Sequence, residues 1–246
     1  FNANNKNDKF GLQSISYNLS RVDGLVVNSF LELKAVSNDL SWKGTNLSVA
    51  PYGVDKNKFM NPDPSIFRDY SNIDFPFILQ SGRIEPSKNQ AMLCWALKDS
   101  DLPIVLIGSS ENWPSYKDLC RSIYGDKLYI FEHLPQDILA SAYASSLVHV
   151  LPSWMETCGL VTLEAALSGT PVVASNFGHE CEYLQKEAFY CDPGDPISIR
   201  DAVYAAIEHG RNTHRTDNLR KRIIDNFTWE NMALQTELLY KKVLET

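Results

Sequence analysis

The sequence predicts an α/β fold: a Rossmann-like parallel sheet preceded by a partial strand–helix–strand piece. Three observations predict it. Apolar runs at 77–80, 104–107, 128–131, 147–151, 172–174 and 189–191 are short and dense in Val, Ile and Leu, as strands covered on both faces require. Helical patterns at 90–98, 115–123, 136–144, 160–167 and 198–209 fall among them. Alternation of the two implies parallel strands joined by right-handed crossovers.

The elements follow in order. Residues 1–14 are polar and rich in Asn and Lys, and read as a loop or loosely held end. Residues 24–28 form a short buried strand, Ser29 is placed to cap a helix over 30–40, and 46–50 form a second strand closed by Pro51-Tyr52-Gly53. This makes 1–58 a remnant of a first Rossmann-like domain. Pro62, Pro64 and several Asp and Asn make 59–74 a linker. The main sheet domain then occupies 75–226. Residues 227–246 form a last helix, capped by Thr228 and amphipathic through Trp229, Met232, Leu234, Leu238, Leu239 and Val243.

Composition bounds the function. The formal charge of −7 over 246 residues argues against a broad nucleic-acid footprint, so no nucleic-acid partner is expected. No apolar run approaches the roughly 18 residues of a membrane span. The five cysteines, Cys94, Cys120, Cys158, Cys181 and Cys191, form no C-x-x-C pair and read as buried reduced thiols of a cytoplasmic protein. The chain begins with Phe1 rather than Met, as a processed or partial chain would.

Two segments carry the chemistry. The first, Ser81-Gly82-Arg83-Ile84-Glu85-Pro86-Ser87-Lys88-Asn89, runs from a strand end to a helix start. Gly82 allows close backbone approach to a ligand. Arg83 and Lys88 are two cations where an anion would meet unsatisfied helix amides, and could neutralise a diphosphate without a metal. Each could equally be an ordinary surface cation. The second segment follows the strand at 147–151 and reads Pro152-Ser153-Trp154-Met155-Glu156-Thr157-Cys158-Gly159-Leu160-Val161-Thr162-Leu163-Glu164. Glu156 is then a loop carboxylate at the ligand edge of the sheet, and Glu164 lies about two turns along the helix. The amides of Gly159, Leu160 and Val161 face a phosphate or a sugar oxygen. Two carboxylates suit the vicinal hydroxyls of a ribose and a hexose, although Glu164 alone would pass for a helix-surface residue.

Glu156 and Glu164, with seven residues between them, resemble the E-x7-E motif of retaining GT-B glycosyltransferases of the large family-4 type. The Gly82-Arg83…Lys88-Asn89 stretch resembles that family's diphosphate-binding segment. Leu151-Pro152-Ser153, the run from Glu164 to Ala174, Pro193-Gly194-Asp195-Pro196 and Phe227-Thr228-Trp229-Glu230 resemble further pieces of it. The resemblance spans nearly everything after about Asp23, and its ordered combination is far more specific than any piece.

The resemblance implies the carboxyl-terminal, donor-binding half of a GT-B fold. Glycosyl transfer from a nucleoside-diphosphate sugar would proceed with retention of anomeric configuration and without a metal or other cofactor. Arg83 and Lys88 would stabilise the departing diphosphate, Glu156 would contact the transferred sugar, and Glu164 would hold the ribose. Gly159, Leu160 and Val161 would contact sugar or phosphate. Gly108, Ser109, His133 and Leu134 would frame the nucleoside. A Glu at position 182 would cap a short helix near the donor. Expected partners are the donor, a glycan or lipid-linked acceptor, a membrane surface met peripherally at its cytoplasmic face, and a separate chain supplying the rest of the first domain.

The pattern departs from the family at Thr157-Cys158-Gly159, where a Gly-Phe-Gly type run is usual; Cys158 reads as a small packing residue. Two other functions fit the same architecture: a non-catalytic nucleotide-sugar-binding module and a sugar-nucleotide epimerase. His179-Glu180-Cys181-Glu182 has no standard zinc spacing, and no metal site is expected there. His133 and His149 read as structural. Trp154, beside Glu156, is the one tryptophan placed to meet a sugar.

Overall fold

A computed structural model describes residues 14–39, 42 and 44–245. Of residues 1–14, read above as a loop, 1–13 lie outside them and Ser14 is helical, in a short helix that runs to residue 19. The chain divides into two compact units, one of Phe1–Gly53 with Trp229–Thr246 and the other of Val54–Thr228.

In the first unit, β1 (Leu25–Val27) pairs in parallel with β2 (Leu47–Val49), Leu25 opposite Leu47. Between them runs α1 (Phe30–Asp39), whose entry is capped as expected: the Glu32 amide donates to Ser29 Oγ at 3.0 Å.

The second unit begins with α2 (Lys56–Phe59) and α3 (Ser65–Ser71). The Pro-rich composition of 59–74 therefore conceals a helix. Phe67 is fully buried and packs against Phe77 and Phe131 at ring separations of 5.6 and 5.7 Å. Burying such a ring contributes about 1.5–3 kcal/mol, enough to order a segment whose composition alone reads as linker. The strands are β3 (Ile78–Ser81), β4 (Ile104–Ile107), β5 (Leu128–Phe131), β6 (Val148–Leu151), β7 (Val172–Ser175) and β8 (Phe189–Cys191). They form one parallel sheet in the order β5-β4-β3-β6-β7-β8. Every residue of β3, β4, β6 and β7 is buried, which is why those strands read as unbroken apolar runs.

The crossovers are α4 (Gln90–Ala96), α5 (Pro114–Tyr124), α6 (Gln136–Ser145), α7 (Leu160–Leu167) and the short α8 (Glu180–Leu184). Two helices close the unit, α9 (Pro196–His209) and α10 (His214–Asn226). The last, α11 (Trp229–Leu244), belongs to the first unit, where Ser48 Oγ of β2 donates to the Gln235 carbonyl at 3.2 Å.

Cys94, Cys120, Cys158 and Cys191 are buried free thiols; Cys181 is a free thiol too, but exposed, against the expectation of burial. No helix among the described residues is long and apolar enough to cross a membrane.

Candidate functional site at the switch point of the sheet

The sheet order fixes where a ligand belongs. From β3 the chain moves outward to β5, then returns to lay β6 against the other side of β3. Strand order reverses between β3 and β6, and in open α/β sheets the crevice at the carboxyl ends of such strands receives the ligand. The loop after β3 and the loop after β6 are the two segments singled out in the sequence.

Both loops are rigidly held. Gln80 Nε2 donates to the Lys88 carbonyl at 2.7 Å, and Gln90 Nε2 to the Arg83 carbonyl at 2.9 Å, bracketing the stretch from its two ends. Asn89 sits in the left-handed region at φ 63°, where Asn is among the few tolerated non-glycine residues. Its Nδ2 donates to the carbonyls of Pro152 at 3.0 Å and Pro193 at 2.9 Å, which ties the loops after β3, β6 and β8 together. The Trp154 amide donates to the Ser87 carbonyl at 3.0 Å.

Lys88 Nζ forms an ion pair with Glu156 Oε1, and Ser153 Oγ donates to the same oxygen at 3.1 Å. Arg83 stands apart from that pair. Its side chain is 69% exposed and bridges to Glu85 at 3.2 Å. Gly82 and Gly108 lie back to back: a Cβ on Gly108 would fall 2.0 Å from the Gly82 carbonyl oxygen. That approach extends the pairing of β3 and β4 by one step, with the Gly82 amide donating to the Ile107 carbonyl at 2.9 Å. Beyond it, Ser110 and Lys117 all bond to the Glu132 carboxylate, joining the loops after β4 and β5. The Lys117 ammonium first, then the Ser110 amide and hydroxyl, hold that carboxylate down at about 2. Leu134, on the second of these loops, is buried, so its main chain rather than its side chain is what it could offer a ligand.

Gly159 stands at φ 61° directly before α7, whose first intrahelical donors, Thr162 and Leu163, both bond to its carbonyl. The amides of Gly159, Leu160 and Val161 precede them and can face an anion. Cys158 is no nucleophile: burial first, and the Glu156 carboxylate second, push its thiol up to about 12. Glu164 lies on α7, where Tyr143 Oη donates to Oε2 at 3.1 Å. Burial raises its carboxyl to about 7 although the phenol opposes the shift.

The loops at this end of the sheet thus carry cations, helix amides and carboxylates, groups able to neutralise an anion and to accept hydrogen bonds from hydroxyls. The sequence profile of the family described as Glycosyl transferases group 1 matches residues 65–227, which contain all of it. The chain belongs to that family. A glycosyltransferase of unknown specificity from Methanocaldococcus jannaschii is 30% identical over 180 residues, 70% of this chain and 46% of the relative. The sucrose-phosphate synthase of Thermosynechococcus elongatus superposes with a TM-score of 0.83 at 25% identity, covering 96% of this chain and 62% of that one. HepE of Anabaena, solved with UDP-glucose, has the same GT-B fold, with a TM-score of 0.79, 18% identity, and coverage of 96% and 68%. The chain spans about half the length of the curated relatives it matches.

This member of the group 1 family carries one further carboxylate against the candidate site that the sequence did not single out. Glu180 is fully buried at the start of α8, and a Cβ on Gly159 would fall 1.9 Å from its Oε1. Neither its oxygens nor the nearby Thr162 hydroxyl make a hydrogen bond of ordinary geometry. Burial first, and the Glu156 carboxylate second, raise Glu180 to about 8. The run His179-Glu180-Cys181-Glu182 was its one signal, and the sequence weighed that run only as a metal cluster, which its spacing does not fit. Glu182, expected to cap α8, instead lies inside its first turn; the preceding position is His179. Among the described residues, no group of three or more His, Cys, Asp or Glu could hold a metal ion. Trp154 is 45% exposed and meets Phe177 edge to face at 6.4 Å, beside the site.

Proposed function

We propose that this chain binds a nucleoside-diphosphate sugar and transfers the sugar, with retention of anomeric configuration, to a glycan or lipid-linked acceptor. The carrying observation is the Lys88–Glu156 pair, which joins the loop after β3 to the loop that leads from β6 into α7 across the switch point. It puts a cation for the diphosphate and a carboxylate for the sugar side by side. Family membership and the UDP-glucose bound by HepE support a nucleotide-sugar donor.

In this reading the donor's diphosphate displaces Glu156 from Lys88. Lys88, Arg83 and the amides of Gly159, Leu160 and Val161 then take up the charge that grows on the leaving nucleoside diphosphate, the task a divalent metal performs elsewhere. Glu156, released, accepts hydrogen bonds from hydroxyls of the transferred sugar. Glu164 accepts those of the ribose, and Gly82, Gly108 and the main chain at Leu134 line the nucleoside's side of the crevice. In this reading Glu156 binds the sugar hydroxyls and does not attack the anomeric carbon, and substitution occurs on the face the diphosphate leaves as its bond to the sugar breaks. A phosphate oxygen draws the proton from the acceptor hydroxyl as the new glycosidic bond forms.

The test is a panel of UDP-, GDP- and ADP-sugars, with binding followed by calorimetry and nucleoside diphosphate release measured with and without glycan and lipid-linked acceptors. Acceptor-dependent release with an unchanged anomeric centre supports the proposal. Binding without release would make the chain a donor-binding module, and inversion of a ring centre without transfer would make it an epimerase.

A further inference from the structure

Glu164 of α7 is joined to His149 of β6 through two buried hydroxyls. Tyr143 Oη donates to Glu164 Oε2 at 3.1 Å, Ser81 Oγ lies 2.8 Å from Tyr143 Oη, and His149 Nε2 lies 3.0 Å from Ser81 Oγ. Tyr143 and His149 are fully buried and Ser81 nearly so. With the phenol donating to the carboxylate, the serine hydroxyl is free to donate to the phenol oxygen, and the Ser81 amide donates to His149 Nε2 at 3.4 Å, which holds the serine against the ring.

The phenol is also fixed in place. Thr170 Oγ1 donates to the Tyr143 carbonyl at 2.7 Å, and Arg211 bonds to the same carbonyl and to that of Ser146. The Tyr143 ring stands edge-on to His149 at 5.6 Å. One oxygen of Glu164 is thus held from behind, and Oε1 has no protein hydrogen bond.

Among the described residues, no other group bonds to this carboxylate. Of the cations on neighbouring elements, Arg211 is engaged as above, Arg220 of α10 with Asn61, Arg222 of α10 with the carbonyls of Glu182 and Tyr183, and Lys58 of α2 with Asp55 and Gln136. His149 is kept neutral by burial, its pKa pressed down to about 3.

We propose that Tyr143 is a positioning residue: backed by Ser81 and His149, its phenol aims the Glu164 carboxylate as an acceptor for the ribose hydroxyls of a nucleoside diphosphate. This rests on the ribose role proposed above for Glu164. Removing the phenol hydroxyl takes a donor from the charged form, so the carboxyl titrates higher and ribose binding weakens at neutral pH. A hydrogen bond to a charged group corresponds to a shift of about one pH unit.

The test binds the diphosphates of uridine, guanosine and adenosine, and their 2′,3′-dideoxy counterparts, to the full chain by calorimetry between pH 5.5 and 9. The variants are Tyr143→Phe, Ser81→Ala, Glu164→Gln and the Tyr143→Phe/Glu164→Gln pair. In Tyr143→Phe the pH midpoint for the preferred diphosphate rises by about one unit, giving about five- to tenfold weaker binding at pH 7 and near wild-type binding at pH 9. The dideoxy counterpart binds unchanged. Ser81→Ala, which alters little volume, moves the midpoint the same way by less. In the Gln background Tyr143→Phe has no further effect on binding. A Tyr143→Phe variant that melts lower yet keeps the wild-type midpoint and ribose preference overturns the proposal. Equal wild-type binding of the ribo and dideoxy forms removes the ribose role of Glu164, and the positioning role with it.

Discussion

The Lys88 ammonium and the Glu156 carboxylate are each other's counterions across the switch point of the sheet, with side-chain exposures of only 18% and 11%. In the proposed reading a donor's diphosphate takes the place of Glu156 on Lys88, so binding there would be an exchange of one anion for another.

Glu156→Gln is therefore expected to separate nucleotide binding from transfer. Free nucleoside diphosphate, which lacks the sugar that Glu156 would contact, binds more tightly by roughly two- to tenfold because its competitor is neutral. Sugar transfer falls by about 10²–10³-fold. Calorimetry and a product-release assay on one preparation check both. A parallel loss of the two would mean that Glu156 does not compete for Lys88.

Arg83, exposed and bridged only to Glu85, contributes little to the fold. Arg83→Ala is expected to leave unfolding stability within about 0.5 kcal/mol of wild type while lowering transfer by roughly 10²-fold. Denaturant titration and initial rates measure these; unchanged rates would remove Arg83 from the site.

Gly159 combines a left-handed φ with the Glu180 carboxylate where a Cβ would stand. Gly159→Ala is expected to destabilise by about 2–4 kcal/mol from strain and overlap. Adding Glu180→Ala should recover part of that loss, because it removes the overlap and leaves the strain. Strict additivity in thermal unfolding would show that the carboxylate does not press on this backbone.

Glu180 also sets a slope of stability with pH. Its folded pKa, about 8, lies above the ordinary carboxylate value of 4.5, so the neutral form is the one the fold prefers. Its contribution is full below about pH 4.5 and is lost as pH rises through 8. Glu180→Gln should abolish this loss, gaining up to about 1.4 kcal/mol per pH unit on wild type between those limits. Parallel melting curves for the two proteins from pH 5 to 9 would contradict it.

The sheet was legible because its central strands are buried on both faces, so Ile104–Ile107 has the same bounds as the apolar run that announced it. Helix α3 was not, because it buries Phe67 alone and follows two prolines. In the site, Lys88 and Glu156 were singled out by their places after strand ends and by the family resemblance, although Lys88 alone could equally have been an ordinary surface cation. Glu180 was not singled out: its burial comes from packing over Gly159, a contact between segments 21 residues apart that no local pattern encodes. The Ser81–Tyr143–His149 chain was equally invisible, for it joins positions 62 and 68 residues distant on three separate elements. Position 149 could be read only as structural, and its partner followed from the strand order.

Asn89 reaches two carbonyls on two other loops from a backbone conformation that most side chains resist. A single amide thereby sets the spacing of three crossover entrances at once. If the proposed function holds, residues lining those entrances can be exchanged, and donor preference altered, while the frame that presents them stays put. Replacing Asn89 itself would unfasten all three together, so under that reading a change of donor is easier to reach through the exposed Trp154 than through the knot behind it.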